Sequence, residues 1–510
     1  MAIDESHPGQ VMSGTPTALT RDLLDPRESA VLRRELPGLV AAFDEQRMRE
    51  ALQAALFHAD RPRAALASCE VEQATYILDE GVILRYALTV RDGETGAERE
   101  ALVSGRLFPS RPACDAYVRD RLAPCLEQMR GRAELALFDA PVGTIGELHM
   151  AIYAWPIDAD LPALMAATDP VRLTPILNAA LPALTGEPFT AASCRVELVD
   201  YGRQHRATLR YHLTGRAEQA ETPRSLLVYG KLTADGSGAM AESISSALRQ
   251  HVQAGTAGYT FRVPRALPWL PDIQLSLLEA IPGEALIADQ LKNRLRNKPG
   301  IPGSAPLEEM IDACAHIAAA LHTSGLALGP RRTLEDELAA LRRRVQSVQR
   351  LAPAFGSQLA ATLEAIARAA EHSAPLPLCF NHGDFTSGQI LFDGAAVGLV
   401  DFDSVCQAEP ALDLGQFLTY LRLAGLKSTL TAEATAAAIG GLTERFLDTY
   451  ARAAGHPAGG QDRLRERIAA YQAVSLLRRS LRSWQKFKPD RIASALTMLE
   501  DAVAGLAHVA

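Results

Sequence analysis

Acidic and amide side chains recur at short spacing near the end of the chain. The stretch NHGDFTSGQILFDG, residues 381–394, holds Asp384 and, five positions later, Gln389. Asp401 and Asp403 follow in the apolar-flanked GLVDFDS. Carboxylate and amide oxygens are the ligands that Mg²⁺ prefers. A phosphoryl-transfer site needs such ligands, a carboxylate that orients the attacking hydroxyl and a cation on the nucleotide phosphates, so the spacing suggests this chemistry.

The order of these residues follows a known pattern. Kinase catalytic loops read His-x-Asp, four residues, then Asn, with a second Asp about a dozen or more positions on. Here His382-Gly383-Asp384 precedes FTSG and Gln389, and a Pro-Ala-Leu-Asp-Leu segment begins at Pro410. The combined pattern resembles the aminoglycoside phosphotransferase family of small-molecule kinases. The resemblance extends over about residues 161–510.

The resemblance implies a role for each matching residue. Asp384 would be the catalytic base, Asp401 the principal magnesium ligand and Gln389 a further ligand. The alternative for Asp384 is a turn or capping residue. Asp403 is expected to cap the loop or to support the metal site from outside its ligand shell. Asp413 either braces the catalytic loop, as its counterpart does in the family, or caps a helix.

A candidate phosphate-binding lysine lies upstream. Lys231 ends the apolar stretch RSLLVYGKL, which is similar to the third strand of a kinase small lobe. It would contact the α- and β-phosphates of ATP, the alternative being a solvated lysine at a strand end. Glu242, on the following predicted helix, is either its partner or a solvent-facing residue. The main chain from Glu279 to Ile281 would face the adenine. A glycine-rich loop is absent, since Gly202 is the one glycine between the first two strands.

Gln389 stands where the family pattern has asparagine. A glutamine oxygen is chemically the same ligand and reaches roughly 1.5 Å further from the backbone, a shift that Gly388 makes easy. The string His-Gly-Asp-x-x-x-Gly-Gln also resembles the loop of maltokinases. Because Asp384, Asp401 and Lys231 are all present, we interpret the loop as active and not as that of a decayed kinase.

Composition limits the class of protein. The chain has 510 residues, of which 48% are hydrophobic and 22% charged, which is typical of a globular protein with roughly two to four units. Its net charge of −8 argues against general binding to nucleic acid or membrane surfaces. No apolar run is long enough to span a membrane. The seven cysteines include no Cys-x-x-Cys pair, and the first residues do not resemble a signal peptide, so we expect a cytoplasmic location.

The sequence contains an internal repeat with an offset of 125 residues. Of the 42 residues in 67–108, 17 are identical to their partners in 192–233, whereas chance would give about three or four. The similarity reaches into a preceding amphipathic helix that begins near residue 36 and again near residue 161. Each copy reads as a helix followed by strands.

These patterns predict an α+β, protein-kinase-like bilobal fold with a duplicated N-lobe-like unit and a mainly helical C-lobe. We expect these segments: a loosely ordered 1–35, a degenerate repeat 36–160, the kinase N-lobe with its hinge 161–290, a linker 291–306 and the C-lobe 307–510.

The predicted function is phosphoryl transfer from ATP, with Mg²⁺, to a hydroxyl of a small molecule such as a sugar, an aminoglycoside or an amino alcohol. The alternative is a non-catalytic nucleotide-binding scaffold. The first copy has Arg106 in place of Lys231, so we expect it to cap the active site, hold a regulator or mediate formation of a homodimer. The basic residues within 478–488 form either a solvated helix face or a site for an anionic substrate.

Overall fold

The chain forms two antiparallel sheets followed by a helical lobe. The computed structural model describes residues 21–58, 64–78, 80–185, 189–202, 206–217, 222–255, 258–267, 269–456 and 461–509. We call 21–160 the N-terminal unit, 161–286 the second unit and 287–509 the C-terminal lobe. The predicted α+β fold, with sheet first and helices after, is confirmed.

The N-terminal unit contains a five-stranded sheet in the order β1-β2-β3-β5-β4. Alternating buried residues along its strands place one face against the helices of the unit. Its elements are α1 (Arg21–Leu24), α2 (Ala30–Glu35), α3 (Glu45–Leu56), β1 (Ala64–Ile77), β2 (Gly81–Asp92), β3 (Glu98–Leu107), α4 (Arg111–Tyr117), α5 (Ala123–Gln128), β4 (Val142–Ile145) and β5 (Met150–Ala154).

The second unit repeats this plan with a four-stranded sheet in the order β6-β7-β8-β9. Its elements are α6 (Ala163–Ala167), α7 (Pro170–Ala180), α8 (Pro182–Thr185), β6 (Phe189–Gly202), β7 (Arg206–Ala217), β8 (Arg224–Thr233), α9 (Ala241–Gln253) and β9 (Leu275–Glu279). The strands that the sequence predicts here are present.

Both units share structural details at the predicted offset. The hydroxyl of Tyr86 donates to the carbonyl of Ala42 at 2.9 Å, and that of Tyr211 donates to the carbonyl of Ala167 at 3.1 Å. Both tyrosines are fully buried. The duplication stays a sequence-based prediction, which these shared details favour.

The C-terminal lobe is built from eight helices and two small two-stranded sheets in its described residues. They are α10 (Ile287–Arg294), α11 (Leu307–His322), α12 (Leu334–Leu351), α13 (Pro353–Glu371), β10 (Cys379–Asn381), β11 (Ile390–Asp393), β12 (Ala396–Leu399), β13 (Cys406–Ala408), α14 (Ala411–Gly425), α15 (Ala432–Ala453), α16 (Asp462–Gln485) and α17 (Pro489–Val509). Within the described helices, none combines the length and the hydropathy of a membrane span.

Three boundaries differ from the sequence-based expectation. Residues 1–20 lie outside the described residues, but 21–35, expected to be loosely ordered, is largely helical because Leu32 is fully buried. The helix expected over 161–182 is broken, since Asp169 caps a new helix by accepting hydrogen bonds from two following main-chain N–H groups. The linker expected at 291 starts later, because Leu291 is buried within α10.

The N-terminal unit packs on the C-terminal lobe of the same chain. Tyr76 stacks edge-on against Trp484 of α16 with ring centroids 5.8 Å apart, and Phe43 lies 5.1 Å from Phe487. One hydrophobic core continues through the N-terminal unit and the C-terminal lobe, whereas the second sheet has a separate core. Apolar side chains of the first copy are therefore covered within the chain.

Candidate active site

A cleft of about 1030 Å³ separates the second sheet from the C-terminal lobe. Residues singled out from the sequence line its wall, among them Lys231, Glu279, Ile281, Gln389, Asp401 and Asp403. They come from β8, from the end of β9 and from the two turns that flank β11 and β12. Residues separated by up to 170 positions therefore meet in one cavity, as an active site between two lobes requires.

Helix α14 holds the loop that carries Asp384. The buried carboxylate of Asp413 accepts the main-chain N–H groups of His382 and Gly383 at 2.7 and 2.8 Å. One turn further along the helix, the amide of Gln416 accepts from the main-chain N–H of Phe385 and donates to the carbonyl of Gly383, both at 3.1 Å. The prediction that Asp413 braces this loop is confirmed.

Gly383 occupies a position that other residues cannot take without strain. Its φ is +77°, in the left-handed region, and a Cβ atom would lie 1.9 Å from the carbonyl oxygen of Ser404. The glycine therefore allows the loop to approach the segment that follows Asp401. This close approach sets Asp384 next to the other acids of the site.

His382 connects the loop that carries Asp384 with the segment around Asp401. Its Nε2 atom lies 3.0 Å from the carbonyl oxygen of Val400, which places the proton on this nitrogen. The ring also contacts Phe402, with centroids 5.4 Å apart. The histidine is fully buried, and it fixes the position of Asp401 through the residues on either side of that carboxylate.

Asp401 has a strained main chain and several polar neighbours. Its φ and ψ are 72° and 63°, a left-handed conformation that costs an ordinary residue roughly 1–2 kcal/mol. The amide nitrogen of Gln389 lies 3.2 Å from its Oδ2 atom, and Lys231 donates to its Oδ1 atom. Strain of this kind is typical of functional positions.

Lys231 reaches from the second sheet to the acids of the C-terminal lobe. Its ammonium group pairs with Asp401 and, at 2.9 Å, with Asp403. Burial favours a lower pKa for this lysine, but the two carboxylates outweigh burial and raise the pKa. Burial likewise favours a higher pKa for Asp401, and the lysine reverses this and lowers the pKa. Asp403, expected to cap the loop or support the site, contributes directly to this ion pair.

Asp384 is half-buried and lies outside the cavity wall formed by the residues above. Burial raises its pKa, and the negative charge of Asp401 adds to this, while the positive charge of Arg482 acts in the opposite direction. A carboxylate with a raised pKa is a better proton acceptor than an exposed one.

The predicted partnership between Lys231 and Glu242 is wrong in this structure. Glu242 is exposed in the first turn of α9, whose buried face carries Ile244 and Leu248. Glu242 points away from that face because two residues correspond to more than half a turn. The loop after Gly202 lies partly outside the described residues, so the expected lack of a glycine-rich loop stays a prediction.

The equivalent position in the N-terminal unit is filled by protein. The guanidinium of Arg106 pairs with Asp160 at 2.9 Å and lies over the ring of Tyr117, 4.9 Å from its centroid. The arginine side chain is 10% exposed. A guanidinium held in this way is not available to a phosphate group.

The donor set at the cleft suits a magnesium ion that also binds phosphate. Asp401 and Gln389 offer a carboxylate and, after a half rotation of the amide, a carbonyl oxygen. No cluster of three or more His, Cys, Asp or Glu side chains in the described residues could hold a metal ion unaided. Magnesium sites in phosphotransferases have this character, because substrate phosphates complete the ligand shell.

Three arginines near the site were not assigned to it from the sequence. Arg332 lines the cleft, and nothing in its sequence context marks it. Arg478 and Arg482 belong to the basic stretch that the sequence left open between a solvated face and an anion site. The solvated alternative fails for Arg478, whose side chain is 17% exposed.

Part of the chain, including the acids of this cleft, is similar to a known phosphotransferase family. Residues 247–467 match the model of the phosphotransferase enzyme family, which confirms the predicted family resemblance for this segment. The segment contains Asp384, Gln389 and Asp401 and leaves out Lys231.

Several solved structures are similar to the chain. A choline kinase from Cryptosporidium parvum Iowa II matches 66% of this chain and 96% of its own length, at 12% identity and a TM-score of 0.44. A choline/ethanolamine kinase family protein from Mesorhizobium loti matches 65% and 97%, at 18% identity and a TM-score of 0.40. An ethanolamine kinase from Plasmodium vivax matches 61% and 81%, at 14% identity and a TM-score of 0.40. The curated proteins contain no significant match.

Proposed function

We propose that the chain transfers the terminal phosphoryl group of ATP to a hydroxyl group of a small molecule. The observation that carries this proposal is the meeting of Lys231 with Asp401 and Gln389 across the cleft, 3.2 Å separating the last two side chains. A phosphotransferase needs a cation and hard oxygen ligands at one place. The match to the phosphotransferase enzyme family supports the same class of reaction.

Each residue contributes through the position that the fold gives it. Lys231 binds the nucleotide phosphates, and the main chain from Glu279 to Ile281 faces the adenine. Asp401 and Gln389 hold Mg²⁺, which supplies charge neutralisation on the phosphates when bound. Asp384 accepts a hydrogen bond from the acceptor hydroxyl and takes its proton as the new P–O bond forms.

The N-terminal unit has a supporting role in this proposal. Arg106 is locked by its acidic and aromatic neighbours, so this unit binds no ATP. Its core is continuous with that of the C-terminal lobe, and it stabilises the helices behind the catalytic loop. A homodimer through this unit stays a prediction from the sequence.

The test compares two aspartates of the same lobe. Asp384→Asn should lower turnover by roughly 10²- to 10⁴-fold while binding of Mg-ATP survives. Asp393→Asn is the matched control, because Asp393 pairs with Arg262 at the surface, with its side chain 48% exposed. Turnover of the control should stay within twofold of that of the unmodified protein.

Two variants of the proposed magnesium ligands distinguish catalysis from the scaffold alternative. Gln389→Ala should raise the magnesium concentration needed for half-maximal activity, and Asp401→Ala should abolish magnesium-dependent nucleotide binding. Nucleotide binding that ignores magnesium and both substitutions, without turnover of any alcohol, would establish the scaffold function instead.

A further inference from the structure

Two arginines share one buried carboxylate beside the cleft. Arg332 and Arg478 approach opposite oxygens of Glu337, whose side chain is 7% exposed. Arg332 lies in the loop before α12 and lines the cleft, and Arg478 lies on α16. One negative charge cannot neutralise two guanidinium groups, so a positive charge is left at this wall of the cleft.

A third arginine lies one helical turn further along. Arg482 is exposed on α16, four residues after Arg478, and forms no ion pair within the described residues. Its positive charge acts on Asp384 and opposes the burial that raises the pKa of that carboxylate. Burial, followed by the charges of Arg332 and Arg482, lowers the pKa of Arg478. Arg478 and Arg482 are four residues apart and therefore lie on one face of α16, and Glu337 joins Arg478 to Arg332.

The neighbourhood offers little compensation for this charge. Glu337 is already shared, the reaction uses Asp384, and Asp401 and Asp403, which line the same cleft as Arg332, are paired with Lys231. Arg479 lies over the ring of Tyr420, 5.9 Å from its centroid, on the same helix. Charged groups are seldom buried without partners, and an excess of this size is typical of a site that binds an anion.

We propose that the acceptor alcohol carries an oxyanion group, a carboxylate or a phosphate, which binds to Arg332, Arg478 and Arg482. Guanidinium groups present paired N–H donors that match either oxyanion. Asp384 then meets the hydroxyl while the arginines hold the charged end of the same molecule. The same charges repel cationic alcohols. This inference rests on the proposed function, because it assigns the substrate class of that site.

The experiment uses four acceptors with one ring skeleton: D-glucose 6-phosphate, D-glucuronate, D-glucose and D-glucosamine. Turnover of ATP by the full chain is measured with each, in the unmodified protein and in Arg482→Gln. At least one of the two anionic acceptors should have the lowest KM. In Arg482→Gln that KM should rise about tenfold with little change in kcat, since one charge-assisted contact is lost. Arg463→Gln, an exposed arginine in the first turn of the same helix, should leave every KM unchanged.

A binding measurement removes the dependence on turnover. With a non-hydrolysable ATP analogue and Mg²⁺ at saturation, an anionic sugar should raise the unfolding temperature of the unmodified protein and not that of Arg482→Gln. The change in unfolding temperature with each of the two anionic sugars shows whether the site prefers a phosphate or a carboxylate group.

The outcomes distinguish the two proposals. Phosphorylation of glucose or glucosamine in preference to both anions, or an unchanged KM in Arg482→Gln, overturns the anionic acceptor and leaves the phosphotransferase intact. Failure of both anions to stabilise the nucleotide-loaded protein overturns it as well. If Mg-ATP does not bind at all, the proposed function itself is wrong and the inference falls with it.

Discussion

A buried carboxyl group joins the N-terminal unit to the strands that border the nucleotide cleft. Asp158 is fully buried and accepts the hydroxyl of Tyr201, near the end of β6. It also accepts the main-chain N–H groups of Asp160 and Leu161 at 2.7 and 3.0 Å. Burial raises the pKa of Asp158 to about 6 despite these hydrogen bonds. Asp158→Asn should therefore change how the stability of the protein depends on pH.

The direction of the pH effect on stability follows from the raised pKa of Asp158. In the folded chain the carboxyl stays protonated up to about pH 6, whereas in the unfolded chain it ionises near pH 3.9. The protonated group therefore stabilises the fold at low pH, and this contribution is lost as the pH rises through 6. A difference of roughly two pKa units corresponds to about 3 kcal/mol in total, of which about 2 kcal/mol falls between pH 4.5 and 7.

Urea unfolding at several pH values measures this effect. The free energy of unfolding of Asp158→Asn, relative to the unmodified protein, should increase by about 2 kcal/mol from pH 4.5 to pH 7. Tyr201→Phe should act differently, because loss of its hydrogen bond raises the pKa of Asp158 further and extends the pH-dependent range upward. A difference between Asp158→Asn and the unmodified protein that stays constant over this pH range would refute the assigned pKa and the reasoning built on it.

Three further predictions concern the loop, the core and the first copy. Gly383→Ala should destabilise the protein by roughly 1–3 kcal/mol and lower turnover. Gly394 is also left-handed but has open space around the position of a Cβ atom, so Gly394→Ala should lower stability by about 1 kcal/mol and leave turnover unchanged. Urea unfolding measures the stability of both variants, and an ATPase-coupled assay measures their turnover. Glu409→Gln should lower the free energy of unfolding by about 3–5 kcal/mol, because the charge of a buried arginine loses its ion-pair partner. Glu444→Gln, at a largely exposed ion pair, should lower it by less than about 1 kcal/mol. Deletion of residues 1–160 should cause aggregation in size-exclusion chromatography, because it uncovers aromatic side chains of α16 and its C-terminal turn; a monomeric, active truncation would show that the first copy is an independent appendage.

The sequence was informative where a residue's role depends on near neighbours. The loop from His382 to Gln389 and the acid Asp401 follow one another closely, so their spacing alone indicates one site. The strands around Lys231 were predictable because they are rich in Val, Leu and Tyr, which are common in strands. In each case local chemistry and the tertiary arrangement agree.

The sequence was uninformative where distant residues decide the environment. Glu242 lies on the helix that follows Lys231, which left it open as an ion-pair partner, but the buried face of α9, which carries Ile244, turns it to solvent. The role of Arg332 arises from its contact with a carboxylate on the next helix and from a third element, α16. The residue pattern within one segment cannot predict a contact between three separate elements.

The two sheets show how one position can be used in opposite ways. Arg106 and Lys231 occupy corresponding places near the ends of β3 and β8. Arg106 is neutralised within its own unit by Asp160, so its charge is satisfied without a ligand. Lys231 finds its partners, Asp401 and Asp403, only on the opposite lobe. In the proposed reaction Asp401 and Gln389 would hold Mg²⁺, which would neutralise charge on the nucleotide phosphates, and the ammonium group of Lys231 would bind those phosphates. The first sheet, with its charge closed internally, can then specialise in packing against the lobe that holds the catalytic loop.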